Sequence, residues 1–127
     1  MTTLEVGCGN QKAEGAIGID ESPGGAVDVL CDLNAVPWPF QDASFTEVRA
    51  LHVIEHLRDI VAVMCEIHRV AKDGAGVTVV TPHFTSLNSW DDPTHLHHLS
   101  LGSLDFFSSD ERRFLPKSGT LTVESKS

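Results

Sequence analysis

Two glycines one residue apart, and an aspartate shortly after them, form the first group with the chemistry to hold a ligand. In Leu4-Glu5-Val6-Gly7-Cys8-Gly9-Asn10 a short apolar run enters Gly7-Cys8-Gly9. Glycines directly after a strand let the backbone turn sharply and approach a bound group closely. Gly18-Ile19-Asp20 then closes a second apolar run on an acid, whose carboxylate can accept from both hydroxyls of a ribose. A dinucleotide fingerprint would need glycine where Lys12 stands, and a helix at once to hold a pyrophosphate. Asp20 also follows Gly7 by 13 positions, short of the roughly 20 of that pattern. A phosphate-free nucleoside fits better than a dinucleotide.

The elements that must position these residues read as strands ending in loops. Leu4–Gly7, Ala16–Asp20, Val27–Asp32, Phe45–Leu51 and Gly76–Thr81 are short apolar runs, most of them bounded by glycine, proline or aspartate. They lack clean alternation, which predicts a parallel sheet buried on both faces. Thr120–Glu124 alternates like a sixth strand. From His56 to Lys72 apolar residues fall at Leu57, Ile60, Val61, Met64, Ile67 and Ala71, the stripe of a helix packed on a sheet. Asp59 suits its first turn, Arg69 and Lys72 its last, with Gly74 as the stop. Ser100–Phe107 is a candidate second helix. Only Asn10–Gly15 and Glu21–Ala26 join the first three strands. A parallel crossover normally takes a dozen residues or more, so loops are expected where larger domains carry helices. One sheet edge is then thinly covered, a place for a homodimer or a partner protein.

The chain resembles the class I S-adenosylmethionine-dependent methyltransferases of the small-molecule type. Glu5-Val6-Gly7-Cys8-Gly9 resembles their first motif and Gly18-Ile19-Asp20 their second. The likeness continues through Cys31-Asp32-Leu33-Asn34, Pro37-Trp38-Pro39-Phe40, Asp42-Ala43-Ser44-Phe45 and Leu51-His52-Val53-Ile54-Glu55-His56-Leu57. It ends on Glu66-Ile67-His68-Arg69-Val70-Ala71-Lys72-Asp73-Gly74. The resemblance implies an α/β, Rossmann-like, mostly parallel sheet of about six strands, in a minimal or truncated form with few helices. It implies S-adenosylmethionine as cofactor, with Glu5 and the turn Gly7, Cys8, Gly9 facing its methionine part. Asp20 would hold the ribose, Asp32 and Leu33 would sit at the adenine, and Leu51 and His52 would line the methionine side and the substrate mouth. Asn10 stands where many members carry a third glycine.

His83, His95, His97 and His98, with Asp91 and Asp92 among them, follow the fifth strand and so belong at the same sheet edge. Three roles compete. His83 or His95 serves as a general base for an oxygen or nitrogen acceptor; or His95, His97 and Asp92 hold a divalent cation; or all are loop residues. The H-x-H-H order matches no fixed ligand spacing, so no metal centre is assigned, and His83, His95 and Asp92 stand as the candidates for acceptor chemistry. Trp38, Phe40, Trp90, Phe106 and Phe107 are read as core or loop anchors before stacking partners.

Composition bounds the partners. A length of 127 residues fits a single domain spanning 1–127. A net charge of −9 repels a phosphate backbone, so nucleic acid is excluded as an expected partner and a small-molecule substrate favoured. No apolar run has membrane-spanning length and no leader is visible, so the expectation is a cytoplasmic protein without membrane contact. Cys8, Cys31 and Cys65 show no disulfide or metal spacing and are expected as buried reduced thiols. The leading expectation is methyl transfer from S-adenosylmethionine to a small or saccharide-like acceptor. The short crossovers and the early chain end also fit a catalytically degenerate binding module serving as a partner subunit.

Overall fold

A computed structural model describes residues 2–82, 84–85, 87–99 and 120–126. Six strands, β1 (Thr3–Val6), β2 (Ile17–Asp20), β3 (Val29–Leu30), β4 (Phe45–Leu51), β5 (Ala71–Pro82) and β6 (Thr120–Lys126), form one sheet. Its order is β3-β2-β1-β4-β5-β6, and every pairing is parallel. The direction of winding reverses between β1 and β4. That switch point is where open parallel sheets leave a crevice beyond their carboxyl ends.

The strands fall where the apolar runs place them, although β3 is only two residues long. The connections from β1 to β2 and from β2 to β3 contain turns and no helix, as their lengths require. Loop-to-loop bonds replace the missing helices. Asn10 Oδ1 accepts from Gly25 N at 2.9 Å, and Gly9 O accepts from Ala26 N at 3.1 Å. Asp28 accepts from Gly18 N at 2.8 Å and pairs with Lys12. Asn10, standing in place of a third glycine, thus ties the next loop onto the glycine turn.

The helix is shorter than its apolar stripe. It runs Ile60–Val70 (α1), capped by Asp59, whose Oδ1 accepts from Ala62 N at 3.0 Å. Leu57 belongs to the stripe by spacing and is buried, but it has extended backbone after a 3-10 turn at Ile54–His56. At the other end Ala71 is already extended and pairs with Phe45, ahead of the expected stop at Gly74. Val63, Met64, Ile67 and Val70 form the buried face, each contributing roughly 1.5–3 kcal/mol. Val61, expected in that face, is exposed. A five-residue helix, Leu87–Asp91 (α2), was not expected. Ser100–Phe107 lies outside the described residues.

The sheet is not buried evenly on both faces. Leu4, Val6, Val48, Ala50, Val77 and Val79 join the α1 side in one core, whereas Glu47, Arg49, Leu51 and Thr78 on the opposite face are only half-buried. Trp38 is a core residue, 2% exposed, its Nε1 donating to Leu33 O at 3.2 Å. Arg69 locks that segment to α1: it bonds both oxygens of buried Glu66, at 2.7 and 2.6 Å, and also Phe40 O and Asp42. Among the described residues no helix is long and apolar enough to cross a membrane.

Candidate functional site

The glycine turn is built by two residues with left-handed backbone, Gly7 at φ 66° and Gly9 at φ 55°. Gly7 N donates to Ile19 O at 2.8 Å and Cys8 N to the same oxygen at 3.2 Å, so the turn is stitched to the end of β2. There Asp20 Oδ2 accepts from Gly9 N at 2.9 Å, while Oδ1 accepts from Glu21 N at 2.7 Å. Turn and carboxylate therefore share one rim of the sheet. Oδ1 also meets Ser22 N at a long 3.5 Å, so Oδ2, with one backbone donor, keeps the freer acceptor capacity.

The two glycines do different work. A Cβ on Gly7 would overlap Val53 Cγ2 and lie 3.0 Å from Cγ1, so the turn packs directly on Val53. A Cβ on Gly9 would meet nothing within 4 Å, leaving open space over the turn. Beside it lies a cleft of about 330 Å³ whose walls include Gly7, Asp20, Leu33, His52, Val53 and His56. Its size is within the usual span for small-ligand sites. His52, the first residue after β4, has φ 56°, unusual outside glycine, and is held by N–H donation to Val80 O at 2.7 Å.

A second cleft of about 470 Å³ adjoins the first through His52 and His56, with Glu55, Pro82, Asp91, Asp92 and His95 on its walls. His95 Nδ1 lies 3.1 Å from Ser89 O; a carbonyl only accepts, so Nδ1 carries a proton, and in the neutral ring the lone pair is on Nε2. That Nε2 faces Asp92 Oδ2 at 3.5 Å. Asp92 also accepts from the Thr94 hydroxyl at 2.6 Å and from Thr94 N–H, which hold its carboxyl below the ordinary carboxylate range.

Several expected site residues stand elsewhere. Glu5 is buried, with Oε1 accepting from Ala13 N at 3.1 Å and Arg49 Nη1 at 3.0 Å. It and Leu51 line a separate cavity of about 190 Å³. Asp32 is exposed and accepts from Asn34 N at 2.9 Å as the start of a turn, while its neighbour Leu33 lines the 330 Å³ cleft. Cys8 is buried under the turn; burial, then the Asp20 carboxylate, pushes its thiol up. All three cysteines are free, but Cys65 is exposed and Cys31 half-buried, against the expectation of burial. His97 Nε2 is 2.7 Å from Leu57 O, which takes it away from the cluster. His83 lies outside the described residues, as do Phe106 and Phe107. Glu55, missed as a site residue, is the deepest acid of the second cleft, 1% exposed.

An open parallel sheet with a nucleoside-sized cleft at its switch point defines a Rossmann-like ligand-binding domain. Residues 4–79, more than half of the chain, match the methyltransferase domain family. The chain belongs to that family, within the class I S-adenosylmethionine-dependent methyltransferases. Members of the family bind S-adenosylmethionine. The fold is similar to the solved structure of the YcgJ protein from Bacillus subtilis, with a TM-score of 0.68 and 20% identity, over 84% of this chain and 59% of that one. The likeness is one of fold, and this chain spans well under two thirds of that protein's chain. No curated protein matches the chain.

Proposed function

We propose that the chain binds S-adenosylmethionine in the 330 Å³ cleft and transfers its methyl group to a small-molecule or saccharide-like acceptor in the adjoining cleft. The observation that carries this is the 2.9 Å bond from Gly9 N–H to Asp20 Oδ2, which brings the turn and the strand-end carboxylate to one rim. The residues fit the group. Asp20 retains acceptor sites for ribose hydroxyls, Leu33 offers an apolar wall to adenine, and nothing at Gly9 stands in the way of close approach. When bound, the cofactor supplies a methyl on a cationic sulfonium. Displacement at that carbon asks of the protein chiefly that it position the acceptor. Where a proton must leave the acceptor, the carboxylate and imidazoles of Asp92, His95 and His52 line the second cleft.

Calorimetric titration with S-adenosylmethionine, its demethylated product and NAD tests the proposal. Asp20→Asn exchanges charge-assisted bonds to two hydroxyls for neutral ones, a loss of about 1 kcal/mol each. Affinity should fall roughly 30-fold, the equivalent of about 2 kcal/mol. Asp32→Ala, at an exposed turn, should change it less than about threefold, given under 0.7 kcal/mol. Binding of NAD alone, or native affinity in Asp20→Asn, would end the proposal. Binding of both sulfur nucleosides without turnover on a broad acceptor panel would instead favour a partner-subunit role.

A further inference from the structure

The structure assigns a divalent cation site to Glu55, His56 and His95, with Asp92 beside them, at the floor of the 470 Å³ cleft. Donor atoms of the first three lie within 4.8 Å of one another. The decisive atom is Glu55 Oε2. It is the one buried side-chain polar atom among the described residues that has no hydrogen-bond partner, in a side chain 2% exposed. The other oxygen accepts from the Thr81 hydroxyl at 3.2 Å. His52 Nδ1 at 3.9 Å and His95 Nε2 at 4.0 Å face the orphan oxygen but stand too far to donate to it. A buried carboxylate oxygen left so costs about 1–3 kcal/mol or more, and a cation among these donors would remove that cost.

The surrounding bonds prepare the donors. His95 gives its Nδ1 proton to Ser89 O, which leaves the Nε2 lone pair facing Glu55 and Asp92. Thr94 donates its hydroxyl proton to Asp92, so its oxygen accepts from His56 Nδ1 at 3.0 Å and leaves the Nε2 lone pair of His56 free. Such bonds from one imidazole nitrogen to a carbonyl or hydroxyl are the usual supports of metal-binding histidines. The backbone holds the loop in place, with Leu96 N donating to Glu55 O at 2.7 Å. Around zinc, donors about 2.0–2.1 Å from the ion stand roughly 3.3 Å apart, so closure needs shifts of about an ångström. Two imidazoles and a carboxylate suit zinc or a similar first-row cation and leave a position open.

In the open position an acceptor oxygen would be held beside the methyl donor, a role that rests on the methyl-transfer proposal, whereas the site itself does not. The test is a zinc titration of the chelator-stripped chain without nucleoside, followed by cobalt(II) absorption spectra. One zinc per chain should bind, with tetrahedral cobalt bands and no thiolate charge-transfer band. Glu55→Gln and His95→Ala should each weaken binding by at least about tenfold. Because Glu55 is buried, His56→Ala, checked for native circular dichroism, provides a second variant with the same expected loss; His68→Ala should bind as the native chain does. Absence of saturable binding, a thiolate band, or unchanged affinity in the folded variants would overturn the site. A chain that binds S-adenosylmethionine but not zinc overturns the metal site alone, and the reverse result overturns the cofactor proposal alone.

Discussion

Alanine at Gly7 and at Gly9 should have unequal consequences, although both replace a left-handed glycine two residues apart in one turn. Each substitution places a side chain at positive φ, at a cost of roughly 1–2 kcal/mol. At Gly7 the new Cβ also overlaps Val53, whose own side chain is 6% exposed and packed in the core. Overpacking of that kind costs about 1–3 kcal/mol more. The total of roughly 2–5 kcal/mol should lower the melting temperature by about 6–25 °C in a domain of this size, at about 3–5 °C per kcal/mol. Gly9→Ala lacks the clash and should lose only about 3–10 °C by the same conversion. Its effect should show in ligand affinity, because the added methyl enters the space over the turn. Val53→Ala supplies the check on mechanism. Combined with Gly7→Ala it removes the overlapped methyls, so the double variant should be more stable than the sum of the single effects by about 1 kcal/mol or more. Thermal and urea unfolding, with calorimetric titration of S-adenosylmethionine, measure both quantities. Equal stability loss at the two glycines, or strict additivity with Val53→Ala, would refute the assigned packing.

Three further outcomes follow from the charges and thiols. Arg69→Ala leaves the buried Glu66 carboxylate with only the Trp38 N–H among its present partners, and should cost about 2–4 kcal/mol by urea unfolding, discounted because the arginine is about a quarter exposed; a loss under 0.5 kcal/mol would refute the clamp. Gly18 N–H, then Lys12, holds the Asp28 carboxyl below its ordinary 3.8. A depressed folded value contributes stability above that pH and loses it as pH falls through the folded value, so the gap between native and Asp28→Asn should be steady above pH 5 and close below pH 4; a gap unchanged down to pH 3 would refute it. A thiol reagent at pH 8 should modify exposed Cys65 first and Cys8 last, since burial and then Asp20 disfavour the Cys8 thiolate; early labelling of Cys8 by mass spectrometry would refute that order.

The parts of the fold legible in the sequence were those governed by chain length and local pattern. Phe45–Leu51 follows directly on the turn residues Asp42-Ala43-Ser44, and its strand begins there and runs to Leu51. Six residues cannot hold a crossover helix, and Asn10–Gly15 holds none. What escaped was set by tertiary contact. Leu57 keeps helical spacing with Ile60, Val61 and Met64, yet Asp59 caps the helix behind it, so periodicity overran the true start by four residues. Glu55 sits between Ile54 and His56 with no local mark of burial. Only the return of residues 94–97 across its backbone, some forty positions later, makes it the floor of a cleft.

Absence of a helix between β1 and β2 also changes what the site can attract. A helix N-terminus behind the glycine turn would present positive partial charge suited to phosphate. Here that place is held by loop bonds from Asn10 and Gly9, and the described residues lining the two clefts include Asp20, Glu21, Glu55, Asp91 and Asp92 and no lysine or arginine. A surround of carboxylates favours a cation, and the sulfonium of the proposed cofactor is one. Methyl transfer removes that charge, so the same carboxylates hold the reactant more firmly than the product. The feature that sets the turn apart from dinucleotide-binding sites therefore suits it to a phosphate-free ligand, as the proposed cofactor is.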